Sequence, residues 1–347
     1  MVAIAGLIGV VGAAGVLRAA DERTADVARI EGLESVLADI PDDDDATIEY
    51  PAENYLLVGS DSREGVDPSD PDFGVIGSEA DVGTARRSDT IMILRQERNG
   101  GAALINLPRD LWLEIAGTGS SQRINTAFNG GAERLAATVT QSLGIPVHHY
   151  VEVDFVGFKN IIDDLGGVEV CVGYAARDAS SGLQIDQGCQ VLDGVQALAF
   201  ARSRHYEQWD GTNWVEDPRA DLGRIERQQL FMRAAVDGAL RKLRSSPFGS
   251  GDVIGAVIDS VRIDDRLDPI QAGEALRQAA EEGLRTYRLP VVDDRVGDAA
   301  VLRLGDGAEE VLAYFRGEGP PPVEFETSES TATGAADDDG ETAESDG

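Results

Sequence analysis

Five short runs of aliphatic and β-branched residues constrain this chain more than any other feature: Asn54–Gly59, Thr90–Arg95, Ala102–Leu107, His149–Asp154 and Val168–Val172. Each has the length and composition of a strand. Helical patterns accompany them at Glu133–Leu143, Phe158–Leu165, Gly194–Arg202 and Leu222–Leu243, several ending in glycine. Strands alternating with helices predict a central sheet covered on both faces. Between the second and third runs, Asn99-Gly100-Gly101 is a strong hairpin turn, so those two strands are expected to be antiparallel. The fold class that follows is α/β, a three-layer α/β/α sandwich with a mixed central sheet.

The flanks read differently. Met1 to Leu17 is uncharged and rich in Ala, Gly, Val, Ile and Leu. As a helix it would be roughly 25 Å long, a little short of a bilayer core. Two readings stay open: a signal anchor whose start lies upstream of Met1, or a secretory signal cut near Ala19-Ala20. A cleavable signal needs a basic leading region, which favours an N-terminal transmembrane helix. Gly6, Gly9, Gly12 and Gly15 follow no strand, so close helix packing explains them better than a nucleotide loop. Val27, Ile30, Leu33, Leu37 and Ile40 recur at helical spacing and predict a short amphipathic stalk, broken by Asp42-Asp43-Asp44-Asp45. After Pro320-Pro321-Pro322 the chain is rich in Ser, Thr, Gly, Asp and Glu, too polar to bury a core. The expected organisation is 1–20 membrane anchor, 21–50 stalk and acidic linker, 51–316 folded domain and 317–347 disordered acidic tail.

Charge narrows the function. The 347 residues hold 63 acidic and 30 basic side chains, a net charge of −33, which argues against general nucleic-acid binding. Lysine occurs only at Lys159 and Lys242, so nearly all positive charge is arginine, the side chain suited to bidentate phosphate contacts. Downstream of an apolar N-terminus, Cys171 and Cys189 are expected to form a disulfide, and two cysteines without matching histidines exclude the usual zinc site. His148 and His149 read as edge or packing residues, and His205 follows Arg204 directly. No hydrolase triad and no Lys-containing phosphate loop is present.

Five segments set charge at a strand end or beside glycine: Gly59-Ser60-Asp61-Ser62-Arg63, Arg86-Arg87-Ser88-Asp89-Thr90, Leu107-Pro108-Arg109-Asp110, Ala201-Arg202-Ser203-Arg204 and Asp221 through Gln229. Further ordered stretches accompany them: Arg123-Ile124-Asn125-Thr126-Ala127-Phe128, Gly144-Ile145-Pro146 through Val151, Phe158 through Val168, and Leu192-Asp193-Gly194. Together these make the chain resemble the LytR-CpsA-Psr (LCP) family of cell-wall glycopolymer ligases over about residues 54–243. The resemblance implies that Asp61 and Asp89 hold a Mg²⁺ ion and that Arg87, Arg109, Arg202, Arg204 and Arg224 surround the pyrophosphate of a polyprenyl lipid. Asp221 and Gln228 match polar residues of the same head-group site. Arg87, Arg109, Asp89 and Asp221 are the expected catalytic set.

The implied reaction is attack by a peptidoglycan hydroxyl on the phosphorus attached to the glycopolymer, with polyprenyl phosphate leaving. Arginines and a hard cation stabilise the charge that develops on the departing oxygens, and Mg²⁺ needs only one or two carboxylates. Either Asp89 or Asp221 is a candidate base. The catalytic domain is expected outside the cell membrane on a single-pass anchor, with lipid, glycopolymer and peptidoglycan as partners. The alternatives are a polyprenyl-pyrophosphate carrier without turnover and a pyrophosphatase. A transcriptional attenuator is disfavoured, because the chain has no helix-turn-helix signature and no basic face. An acidic insertion between Arg63 and Arg86 lengthens the loop joining the two expected metal ligands. Val153, Phe155, Phe158 and Ile162 read as core rather than lipid contacts.

Overall fold

The computed structural model describes residues 27–40, 52–60, 88–97, 101–217, 260–269 and 284–322, together with the helical positions Gly223, Arg227, Leu230, Phe231, Ala234 and Gly238. Met1–Leu17, Asp61, the 63–86 insertion, Arg87, Asp221, Arg224, Gln228 and the 323–347 tail lie outside them. Among the described residues no helix is long and apolar enough to cross a membrane.

The strands are β1 (Ala28–Ile30), β2 (Ala52–Ser60), β3 (Ser88–Glu97), β4 (Ala102–Asn106), β5 (Trp112–Ile115), β6 (Ser120–Arg123), β7 (His149–Val153), β8 (Val168–Val172), β9 (Ala176–Asp178), β10 (Leu183–Ile185), β11 (Gly188–Leu192), β12 (Glu207–Trp209), β13 (Trp214–Glu216), β14 (Val261–Asp264), β15 (Leu284–Arg288), β16 (Val291–Val296) and β17 (Ala299–Leu304). Among the described residues the α-helices with continuous bounds are α1 (Gly131–Leu143), α2 (Phe155–Leu165), α3 (Gly194–Arg202) and α4 (Ala308–Arg316), and a 3₁₀ turn spans Ile124–Gly130. Seven strands form the central sheet in the order β1-β14-β7-β2-β3-β4-β15. β2 pairs parallel with β7 and antiparallel with β3, and β4 is antiparallel to β3 but parallel to β15. The sheet is therefore mixed, as the hairpin turn predicts.

Alternation along β2 explains why both faces are covered. Tyr55 and Leu57 join Met92, Leu94, Leu104, Val151 and Val153 on one face, where they pack against α2, α3 and Phe231. Leu56 and Val58 join Ile91, Ile93, Ile105 and Tyr150 on the other, against α1, α4 and Phe128. A side-chain period of two with both sets apolar leaves neither face open to water. Each fully buried Leu or Phe stabilises the fold by about 1.5–3 kcal/mol. Val153, Phe155, Phe158 and Ile162 are all core residues.

Helix ends are set locally. Asp154 begins α2 by accepting the Gly157 N–H at 2.7 Å, and Asp193 begins α3 by accepting the Gln196 N–H at 2.8 Å. α2 stops at Gly166, whose φ of 84° suits glycine. α3 starts on Gly194 for a different reason: a Cβ there would stand 2.3 Å from the Lys159 carbonyl oxygen of α2. The Gly194 N–H instead donates to Asp163 Oδ1 at 2.7 Å, which locks the two helices together.

The 27–40 segment differs from the expected amphipathic stalk. Ala28–Ile30 is an edge strand paired in parallel with β14, and Leu33 and Leu37 are buried. Val27 packs on one face of the sheet and Leu33 and Leu37 on the other. A chain crossing the sheet edge spaces its apolar residues three and four apart without being a helix.

Candidate functional site

Strand register gathers several loop starts at one end of the central strands. Gly59 near the end of β2 faces Val153 at the end of β7, and Ser60 faces Ser88 at the start of β3. β4 ends at Asn106 opposite Met92, and the Leu107 N–H then donates to the Ile91 carbonyl at 2.9 Å. Loops at the carboxyl ends of parallel strands such as β2 and β7 are the usual ligand positions of open α/β sheets. Asp61 follows Ser60 in sequence but lies outside the described residues, as does Arg87 before Ser88.

The β2–β3 register also singles out Asp89. Gly59 pairs with Thr90 while Ser60 pairs with Ser88, so Asp89 is the extra residue of a β-bulge. Bulges occur next to active sites because they re-aim side chains and interrupt a ladder. The sequence signal for this was only the charge itself.

Arg109 sits in the turn after β4, where the Leu111 N–H donates to the Pro108 carbonyl. Its Nε is 3.5 Å from Asp110 Oδ2, and Arg123 Nε is 3.2 Å from Oδ1 of the same carboxylate. Asp110 therefore spaces two arginines. Arg123 is tied further to β17 by donation to the Ala300 carbonyl at 2.6 Å.

The Arg202-Ser203-Arg204 segment leaves the end of α3. The Arg202 guanidinium lies 4.7 Å from the centroid of the Phe155 ring, the first residue of α2. Since Phe155 comes two residues after the end of β7, this contact brings Arg202 to the same end of the central strands as Gly59 and Ser88. Ser203 is buried and Arg204 is exposed.

Asp178, at the end of β9, holds this turn. Its Oδ2 accepts Ser203 Oγ at 2.8 Å and the N–H groups of Arg204 and His205 at 2.9 Å each. Its Oδ1 accepts the Ser180 N–H and Oγ. Burial alone would raise the Asp178 pKa, but the hydrogen bonds from Ser180, His205 and Ser203 outweigh it and hold the carboxyl well below the usual range. The segment is braced again by Arg227. Its Nη1 is 3.0 Å from Asp217 Oδ2, its Nη2 donates to the Ser203 carbonyl, and its guanidinium lies 4.0 Å from the centroid of the Tyr206 ring.

Of the residues read from the sequence, Arg109, Arg202 and Arg204 are described, and Asp89 is described as a strand position. Asp61, Arg87, Asp221, Arg224 and Gln228 lie outside the described residues. Asp178, Arg227, Asp110 and Arg123 were not singled out for function. Arg227 is a buried helical position, and its place in the Asp221–Gln229 run did not by itself mark it as a support of the Arg202–Arg204 segment.

The Cys171–Cys189 disulfide is present and joins β8 to β11 across a direct antiparallel pair. It closes the excursion that carries β9 and Asp178. His148 and His149 are buried at the other end of β7, as packing residues. His148 Nδ1 accepts the Asn54 N–H, and the His149 ring stacks on Tyr55. His205 is exposed, with Nδ1 3.4 Å from Glu216.

Comparison with known proteins agrees with this layout. The chain is 33% identical over 268 residues to a probable cell wall biosynthesis protein, LcpB, of Corynebacterium glutamicum, covering 76% of this chain and 61% of that protein. It is 35% identical over 178 residues to a polyisoprenyl-teichoic acid–peptidoglycan teichoic acid transferase, TagU, of Bacillus mycoides, covering 51% and 54% respectively. The chain thus spans less than two thirds of the length of these curated relatives. A solved structure described as a LytR-Csp2A-Psr enzyme from Actinomyces oris superposes with a TM-score of 0.63 at 26% identity, over 83% of this chain and 95% of that one. The model of the LytR_cpsA_psr family matches residues 29–311, from the edge strand β1 into α4, and the chain belongs to that family.

Proposed function

We propose that this protein is a membrane-tethered, extracytoplasmic phosphotransferase that moves a glycopolymer from a polyprenyl-pyrophosphate carrier to a peptidoglycan hydroxyl. The observation that carries the reading is the meeting, at one end of the central strands, of the Asp89 bulge, the Arg109 turn and the braced Arg202–Arg204 segment. A relative named as a teichoic acid transferase supports the same chemistry.

Arg109, Arg202 and Arg204, with Arg87, Arg224 and Gln228, would bind the pyrophosphate oxygens and balance the charge that grows as the bond to polyprenyl phosphate breaks. The acceptor hydroxyl attacks the phosphorus bearing the glycopolymer, and its proton passes to Asp89 or Asp221. A phosphodiester forms and polyprenyl phosphate departs.

Asp61 and Asp89 fit Mg²⁺ by donor chemistry, since carboxylate oxygens are hard ligands. They also follow or flank the paired residues Ser60 and Ser88. Among the described residues no group of three or more His, Cys, Asp or Glu side chains is positioned to hold a metal. Bound at Asp61 and Asp89, Mg²⁺ would supply positive charge to the pyrophosphate oxygens.

The test incubates the full chain in detergent with an oligosaccharide linked to a polyprenyl pyrophosphate, Mg²⁺ and peptidoglycan fragments. The expected result is a phosphodiester-linked product with one polyprenyl phosphate released per transfer, reduced about a hundredfold or more by Arg202→Ala. Release of polyprenyl phosphate together with the glycopolymer monophosphate, without a joined product, would mark a pyrophosphatase, and binding without either product a carrier. Each of these outcomes rejects the ligase.

A further inference from the structure

Among the described residues, Asp178 is the buried carboxylate that contacts the Arg202–His205 turn through three separate donors. Its exposure is 1%, and two of its three bonds on Oδ2 come from the backbone N–H groups of Arg204 and His205. The third comes from Ser203, which lies between the two arginines. Asp178 itself is fixed by Ser180 on the other oxygen. It lies within the loop closed by the Cys171–Cys189 disulfide, on a strand that also pairs with β12, which follows the turn. One carboxylate thus bonds two successive backbone N–H groups between the end of α3 and β12.

We propose that Asp178 is a positioning residue, which aims Arg202 and Arg204 together at an anionic phosphate group by fixing the backbone between them, with the disulfide holding Asp178 in place. The inference rests on the reading of those arginines as pyrophosphate ligands. A carboxylate serves here because one ionised oxygen accepts three donors at once, and bonds to an ionised acceptor are about twice as strong as neutral ones. The cost is a negative charge near a site for anions. That charge is offset because its lone pairs face the backbone donors of the turn.

The role separates from plain structural support through its dependence on the arginines. The probe is farnesyl pyrophosphate, titrated calorimetrically into the full chain in detergent. Asp178→Asn is expected to weaken binding about tenfold, and Ser203→Ala, which removes one donor and keeps the carboxylate, about threefold. In an Arg202→Ala/Arg204→Ala background both effects should shrink to less than about twofold, because a positioning residue has nothing left to position. Hydrogen–deuterium exchange over 203–206 should rise in Asp178→Asn. A loss that persists undiminished in the arginine-free background overturns the proposal, as does unchanged affinity in both variants. If Asp178→Asn does not fold, Ser203→Ala decides by the same criterion. If the unaltered chain binds no farnesyl pyrophosphate, the ligand assignment made under the proposed function fails. The exchange measurement then still decides the clamp, and unaltered protection at 203–206 in Asp178→Asn rejects it.

Discussion

Protonation of His148 is expected to dominate the loss of stability as pH falls from neutral into the mildly acidic range. The ring is 3% exposed, and its Nδ1 accepts the Asn54 N–H at 2.8 Å, which requires the neutral form with the proton on Nε2. Burial lowers the pKa from 6.5 to about 4, helped by His149 and Arg95 nearby. Between those values the unfolded chain binds a proton that the native state does not, so stability rises with pH across that window. The contribution is present in full above pH 6.5 and is lost as pH falls towards about 4. At about 1.4 kcal/mol per pH unit the loss reaches about 3 kcal/mol, a large part of the 5–15 kcal/mol typical of a folded domain. Urea unfolding of the full chain, followed by tryptophan fluorescence at several pH values, measures it. His148→Gln keeps an acceptor for the Asn54 N–H but cannot titrate in this range, so its stability should lose that part of the slope. Parallel pH profiles for the two proteins would refute the assignment.

Two further outcomes follow from the bracing of the arginine turn. Arg227→Met removes an ion-pair partner of Asp217, which is 5% exposed, and should cost about 3–5 kcal/mol in urea unfolding at neutral pH; a change under about 1 kcal/mol would show that Asp217 is readily accommodated without it. Reducing the Cys171–Cys189 disulfide, whose cysteines are 18 residues apart, should cost about 3 kcal/mol and raise hydrogen exchange within the closed loop; an unchanged melting temperature with dithiothreitol would reject this.

Much of the sheet was legible because its strands carry their own local signal. The run Asn54–Gly59 lies inside β2, Gly194–Arg202 coincides with α3, and the two strands that flank Asn99-Gly100-Gly101 in sequence, β3 and β4, pair antiparallel. The stalk misread had a local cause, since Val27, Leu33 and Leu37 serve opposite faces of the sheet at helical spacing. The hairpin β12–β13 was missed although Asp210-Gly211 is a turn signal, because its three-residue strands are too short to show alternation. Candidate site residues were legible where charge stood at a strand end. Their supports were not: Asp178 meets Ser203, Arg204 and His205 across 25 to 27 residues, and nothing in its own neighbourhood announces that contact.

The net charge of −33 gives these supports their weight. A chain so acidic repels a pyrophosphate at long range, and salt screens that repulsion within about 8 Å at physiological ionic strength. Attraction therefore has to come from groups in contact with the ligand, where guanidinium–phosphate bonds depend on direction as well as charge. Arginines on a mobile turn would lose part of that attraction to ordering on binding. Here the ordering is already done in the fold: Asp178 fixes the backbone between Arg202 and Arg204, Arg227 holds the Ser203 carbonyl, and Phe155 carries the Arg202 guanidinium. On the proposed reading of the arginines as pyrophosphate ligands, carboxylates that oppose anion binding by their charge would serve it by their position. The same logic applies to Asp110 between Arg109 and Arg123. In an acidic protein of this kind, the acids nearest the arginines act as its scaffold.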